Sequence, residues 1–194
     1  MKKIIGTVIV VVFIFAIVII ANNNYKIPDG WYPAGSNPNE YEMGVDNTIF
    51  QSGQSCAYIK SKNPKSNEFG TLMQSISAEN YLEKRLQLSG YIKSENVEEW
   101  SGMWMRIDGE SNKRLGFDNM QDRAIKGTTD WNKYEIVLDV PVSSKTILYG
   151  VLLTGEGKVW FDNFELKEVD KSVQVTNQRK ENRRTKPINL DFEE

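Results

Sequence analysis

The segment Met103-Trp-Met-Arg-Ile-Asp108 separates cleanly with a period of two. Met103, Met105 and Ile107 therefore face one side of a strand, and Trp104, Arg106 and Asp108 face the other. An indole beside a guanidinium suits a sugar: the ring offers an apolar face to C–H groups, and the guanidinium offers a rigid fork of donors. The competing reading is an arginine that simply packs on a tryptophan at the surface. The densest polar cluster of the strand-rich region follows, Phe117-Asp-Asn-Met-Gln-Asp-Arg123. There Asp118, Asn119 and Gln121 either serve the hydroxyls of a ligand or bond their own loop backbone. Gln74 alternates with apolar neighbours between Leu72 and Ile76 and is a further candidate for the same groove. Trp100 is either a second aromatic platform or a core residue.

Other chemistries are removed by simple counts. The chain of 194 residues has no histidine and one cysteine, Cys56. That rules out Ser-His-Asp and Cys-His machinery, histidine-ligated zinc and an internal disulfide framework. Asp108, Asp118 and Asp122 are the carboxylates available for glycoside hydrolysis, but no spacing singles out an acid and a base. There is no nucleophile elbow, P-loop or dinucleotide fingerprint. The sequence therefore predicts no enzyme, with a carboxylate-dependent glycoside hydrolase as the weaker alternative. With 24 basic and 26 acidic residues the net charge is −2, which gives no pull toward nucleic acid. Cys56, between Ser55 and Ala57, reads as a buried inert thiol.

These candidates need elements to position them. Short runs rich in Val, Ile, Tyr, Phe and Trp occur at 41–45, 56–61, 86–93, 102–107, 134–138, 147–153 and 158–166. Gly, Pro, Asn, Asp and Ser separate them. Residues 80–85 suit one short helical turn, and no segment sustains a helical period. Many strands without a long helix predict an all-β sandwich. Gly90, in the middle of a strand, predicts a bulge or a close backbone approach. The run 147–153 is apolar on both faces and reads as a central strand.

The amino terminus is different. Residues 4–21 form an uncharged run preceded by Lys2 and Lys3. As a helix it would span about 27 Å, close to a ~30 Å hydrocarbon core. The run is longer than the apolar core of a typical cleaved signal, and Ile19 is a poor fit to a cleavage site after Ala21. An N-terminal transmembrane helix acting as a signal anchor is the favoured reading, and a cleaved signal the alternative. Either puts the domain 22–169 outside the cytoplasm. Residues 170–194 form a polar tail. Its basic stretch 179–186 is a solvated linker or a contact for anionic headgroups or wall polymer.

Three segments carry a resemblance. Trp160-Phe-Asp-Asn-Phe-Glu-Leu166 resembles the last strand of galactose-binding-like jelly rolls, the sandwich of many carbohydrate-binding modules. Phe69-Gly-Thr-Leu-Met-Gln-Ser-Ile-Ser77 with 81–93 resembles their middle strands, and Gly127-Thr-Thr-Asp-Trp131 with Tyr134 another strand opening. The resemblance implies a jelly-roll β-sandwich over about residues 30–169, with a glycan or cell-envelope component as ligand. In such modules an acidic residue near Asp162 helps to bind a structural calcium, which Glu193 or Glu194 would complete here if the tail docks; no other cofactor is implied. Similar sandwiches accompany helix-turn-helix regulators or hydrolases, so a protein partner in an envelope or regulatory system is the second expectation. The modules usually open with a strand that is missing before Gly30-Trp31, while a similar motif stands at Asn189-Leu-Asp-Phe-Glu-Glu194. Residues 188–193 are accordingly read as a strand folding back, a strand added to a neighbouring molecule, a remnant of a second module, or an unstructured tail.

Overall fold

The computed structural model describes residues 26–65 and 67–176. The apolar run 4–21 and the segment 188–193 lie outside the described residues, as do Glu193 and Glu194. Among the described residues no helix is long and apolar enough to cross a membrane.

Among the described residues there are nine strands: β1 (Tyr32–Gly35), β2 (Tyr41–Asp46), β3 (Cys56–Ser61), β4 (Phe69–Ser77), β5 (Arg85–Asp108), β6 (Arg114–Asp118), β7 (Ile125–Asp139), β8 (Thr146–Thr154) and β9 (Lys158–Val169). All pairings are antiparallel. Strand β5 organises them. Its first half pairs with β7 and β9, and its second half with β6 and β8. Two sheets result, β2-β3-β9-β5-β7 and β1-β4-β8-β5-β6, with β5 running through both. The domain is an all-β jelly-roll sandwich.

The predicted strands 86–93 and 102–107 are thus one continuous element. The polar run between them bends without breaking, and three register shifts against β7, from Ile92 to Ser101, mark the passage from one sheet to the other. The short strands β1 and β6 carry no apolar run of their own. Their partners define them, which is why composition alone passes over them.

Leu86, Leu88, Met103, Met105, Ile107 and Val151 are at most 1% exposed and fill the space between the sheets. The period of two holds along β5, where Met103, Met105 and Ile107 face inward as expected. Gly90 meets its expectation too. Between Ser89 and Tyr91 the pairing with β9 shifts by one residue, Asn163 takes a φ of 58°, and a side chain at Gly90 would lie 2.2 Å from the Phe164 ring. Trp31 closes one side of the sandwich by stacking on Phe164 at 5.8 Å and meeting Tyr149 edge-on at 6.1 Å.

Cys56 is buried, donates its S–H to the Ile49 carbonyl, and has its pKa pushed up to about 12 by burial and the nearby Asp46 and Asp162 charges. Burial also lifts the Tyr41 hydroxyl to about 12, and the hydroxyl donates to the Glu68 carbonyl at 2.8 Å.

Candidate functional site

The outer face of the β1-β4-β8-β5-β6 sheet is apolar where a solvent-facing sheet would be polar. Met73 of β4, Trp104 of β5 and Leu152 of β8 form a cluster there, with Phe69, Trp100 and Phe117 packed against it. Met73, Gly150 and Trp104 lie in one row across β4, β8 and β5. Because Gly150 has no side chain, the indole of Trp104 crosses over β8, and its Nε1–H donates to Thr71 Oγ1 on β4 at 2.8 Å. Thr71 in turn donates to the Val151 carbonyl at 2.7 Å.

Trp104 is therefore on the expected face but is not an open platform, since it is only 7% exposed. It forms the floor of a cleft of about 230 Å³ lined by Phe69, Thr71, Trp100, Trp104, Arg106, Phe117, Asn119, Leu152 and Thr154. Trp100 and Phe117 are half-buried and make the aromatic walls. Arg106 lies at the rim, and Asp108 holds it through Nε at 2.9 Å and Nη2 at 2.7 Å. Asp108 is 2% exposed. The pair largely cancels its own charge, so the cleft offers fixed donors without a strong net field.

A second hollow, of about 270 Å³, adjoins the first along Phe117 and Asn119 and is lined further by Arg114, Asp118, Gln121, Asp122 and Thr176. Asp118 is committed to the protein. Arg123 grips it with two nitrogens, at 2.8 and 3.2 Å, and the Met120 N–H donates at 2.8 Å. Burial opposes its ionisation, but the Arg123, Thr176 and Met120 hydrogen bonds prevail and hold its carboxyl below the usual range. A carboxylate held ionised is the wrong state for a general acid. Asn119 Oδ1 accepts from the Gln121 N–H at 3.2 Å, an Asx turn that shapes the loop.

The structure thus brings Trp104, Arg106 and Asn119 to one cleft, and Asp118, Asn119 and Gln121 to its neighbour. Gln74 belongs to neither. It alternates with Met73 onto the inner side of β4, where the Tyr149 hydroxyl donates to it at 2.5 Å. The sequence reading missed Phe69, Thr71, Phe117 and Thr154. Phe117 stands at the head of the polar cluster and was legible as its aromatic member; the others are placed only by cross-strand pairing.

Asp162 is held by backbone donors. Its Oδ2 accepts from the Gln51 and Ser52 N–H groups at 2.9 and 3.0 Å, and its Oδ1 from the Asn163 N–H at 2.7 Å. Among the described residues no three acidic or sulfur side chains gather as a metal site, and Glu193 and Glu194, which the resemblance adds to that site, lie outside them. Asp162 instead fastens the loop before β3 to β9.

Set against known proteins, the cleft gains a context. No family model matches the chain. Among solved structures, the CBM22-1 xylan-binding domain from Paenibacillus barcinonensis Xyn10C superposes with a TM-score of 0.53 at 14% identity, covering 74% of this chain and 88% of that one. The C-terminal family 22 carbohydrate binding module of Clostridium thermocellum Xyn10B gives 0.51 at 11% identity, over 73% and 86%. The domain has the fold of carbohydrate-binding modules. At these identities the likeness is one of fold. Several structures that share it are binding modules, and the enzymatically active domain of bacteriophage CBA120 tailspike protein 4 also matches it (TM-score 0.56, 12% identity, 73% of this chain and 20% of that one). In sequence, the chain is 45% identical over 167 residues to an uncharacterized HTH-type transcriptional regulator, YbfP, of Bacillus subtilis (strain 168). The match takes in 85% of this chain and 57% of that protein, so the chain spans little more than half of that relative.

Proposed function

We propose that this chain is a non-catalytic extracytoplasmic binding module for a glycan or a glycan-like envelope component, held at the membrane by residues 4–21. The observation that carries the reading is the aromatic cleft on the outer face of a sheet, with Trp104 as floor and Trp100 and Phe117 as walls. Sugars present apolar C–H faces and equatorial hydroxyls, and this cleft pairs indole and phenyl surfaces with polar groups from Arg106, Asn119 and Thr154. The self-neutralised Arg106–Asp108 pair favours an uncharged sugar face over a phosphate or uronate. The lowered pKa of Asp118 and its tie to Arg123 support binding over acid catalysis.

Calorimetric titration of wild type and Trp100→Ala with a panel of neutral oligosaccharides tests the reading. Loss of a stacking wall worth about 1.4 kcal/mol weakens binding about tenfold. A wild type that binds no member of the panel, or a Trp100→Ala variant of unchanged affinity, refutes it.

The likeness to the Bacillus subtilis regulator favours a second reading, an accessory or sensory domain that reports occupancy of the same cleft to a DNA-binding partner. Recovery of one defined envelope or regulatory protein with the anchored chain, lost on adding the ligand, favours this reading.

A further inference from the structure

We propose, on the footing that the aromatic cleft binds a glycan, that its ligand is a neutral oligosaccharide whose chain runs on into the second hollow and is selected there by Arg114, Asn119 and Gln121. The two hollows share Phe117 and Asn119 and so form one groove. Apart, their volumes of about 230 and 270 Å³ fall short of the ~300–1,000 Å³ usual for ligand sites; joined, they lie within that range. The groove crosses the strands, from Phe69 and Thr71 on β4 over β8 and β5 to Phe117 on β6 and the loop beyond it. Three strand spacings alone make about 14 Å, longer than a single sugar ring.

The two halves differ in what they offer. In the cleft the polar groups are largely spent. Trp104 donates to Thr71, Thr71 donates to the Val151 carbonyl, and Arg106 turns Nε and Nη2 to Asp108. Ring surface is what remains. In the second hollow the polar groups are unspent. Arg114 lies over the Phe117 ring at 5.0 Å and, among the described residues, forms no ion pair. The Gln121 side-chain amide and the Asn119 Nδ2 have no protein partner among the described residues. A guanidinium and two amides supply donors and acceptors that match neighbouring hydroxyls. The charges of Arg114 and Arg123 offset those of Asp118 and Asp122, so this hollow selects by hydrogen bonds and not by field.

The loop that carries Asn119 and Gln121 is braced from within. Arg123 bridges Asp118 and Asp122, and its N–H returns to the Met120 carbonyl at 2.9 Å. Met120 is 0% exposed in the core and holds a left-handed φ of 60°, a conformation that only its packing sustains. Gly102 of β5 leaves the loop room, since a Cβ there would lie 2.9 Å from the Asn119 carbonyl oxygen. A braced loop presents its amides at little ordering cost.

Calorimetric titration of the full chain with graded β-linked oligosaccharides of glucose, xylose, mannose and N-acetylglucosamine, from monosaccharide to hexasaccharide, tests the assignment. In a series that binds, wild-type affinity rises at least about tenfold with chain length before it levels off. Arg114→Ala/Gln121→Ala, changed at two exposed positions, keeps the wild-type Tm and loses that gain, with the affinity for the shortest binding member unchanged. Trp100→Ala weakens every length alike. Affinity that does not grow with length, or growth that survives the double substitution, overturns the inference and leaves the cleft as a site for one sugar. A wild type that binds no series overturns the inference together with the function on which it rests.

Discussion

Replacing Trp104 by alanine separates a floor from a platform. The side chain is 7% exposed, donates to Thr71 at 2.8 Å and crosses the Gly150 gap. Truncating a buried tryptophan to alanine costs about 3–5 kcal/mol. Here the space left behind opens into the cleft, so water can enter it, and the cost falls near the lower end, about 3 kcal/mol. For a domain of this size, at about 2–4 °C per kcal/mol, Tm drops by roughly 6–12 °C. Trp100→Ala removes a half-buried wall and lowers Tm by only about a third as much. Scanning calorimetry of the two variants beside wild type makes the comparison, and ligand titration of each completes it. Trp104→Ala loses both stability and affinity, whereas Trp100→Ala loses mainly affinity. A Trp104→Ala protein melting within about 2 °C of wild type while failing to bind would refute this reasoning, since the indole would then be an exposed contact and not packed structure.

Asp118 stabilises the fold only while ionised. Its carboxyl lies below the ordinary range in the folded domain, so its contribution is complete above about pH 4, the unfolded value, and fades as the pH falls through the folded one. The urea midpoint of Asp118→Asn should therefore trail wild type at pH 7, by about 1–3 kcal/mol, with the gap narrowing below about pH 4; a constant gap contradicts the assignment. Cys56, with its pKa near 12, should resist a thiol reagent at pH 8 in the native protein and react within minutes once guanidinium unfolds it. Equal rates in the two states would place the thiol at the surface. Gly90→Ala should lower the unfolding free energy by about 1–3 kcal/mol, because the new methyl meets the Phe164 ring at 2.2 Å; a urea midpoint matching wild type argues against that contact.

Local pattern carried a good deal of this protein. Alternation along 103–108 assigned the inward and outward faces of β5 correctly, because the side-chain period of a strand is fixed by its backbone. Gly90, in the middle of a strand, marked the site of a bulge or close approach, and the number of short apolar runs with turn residues between them placed the chain among all-β sandwiches. Absent histidine and a lone cysteine excluded whole mechanisms with no structure at all.

Cross-strand register was decided only in three dimensions. Trp104 looked like an exposed platform because its own strand puts it on the outer face. Its burial comes from Thr71, Gly150 and Leu152, residues brought alongside by pairing and not by sequence proximity. Gln74 failed for the same reason: one step of alternation from Met73 turns it away from the cleft and toward Tyr149. Asp162 entered as a cation ligand through a family resemblance; the fold shows what no local pattern could, three N–H donors returned to it from Gln51, Ser52 and Asn163. A sequence fixes which groups a strand offers to each face; only the packed sheets determine which of them meet.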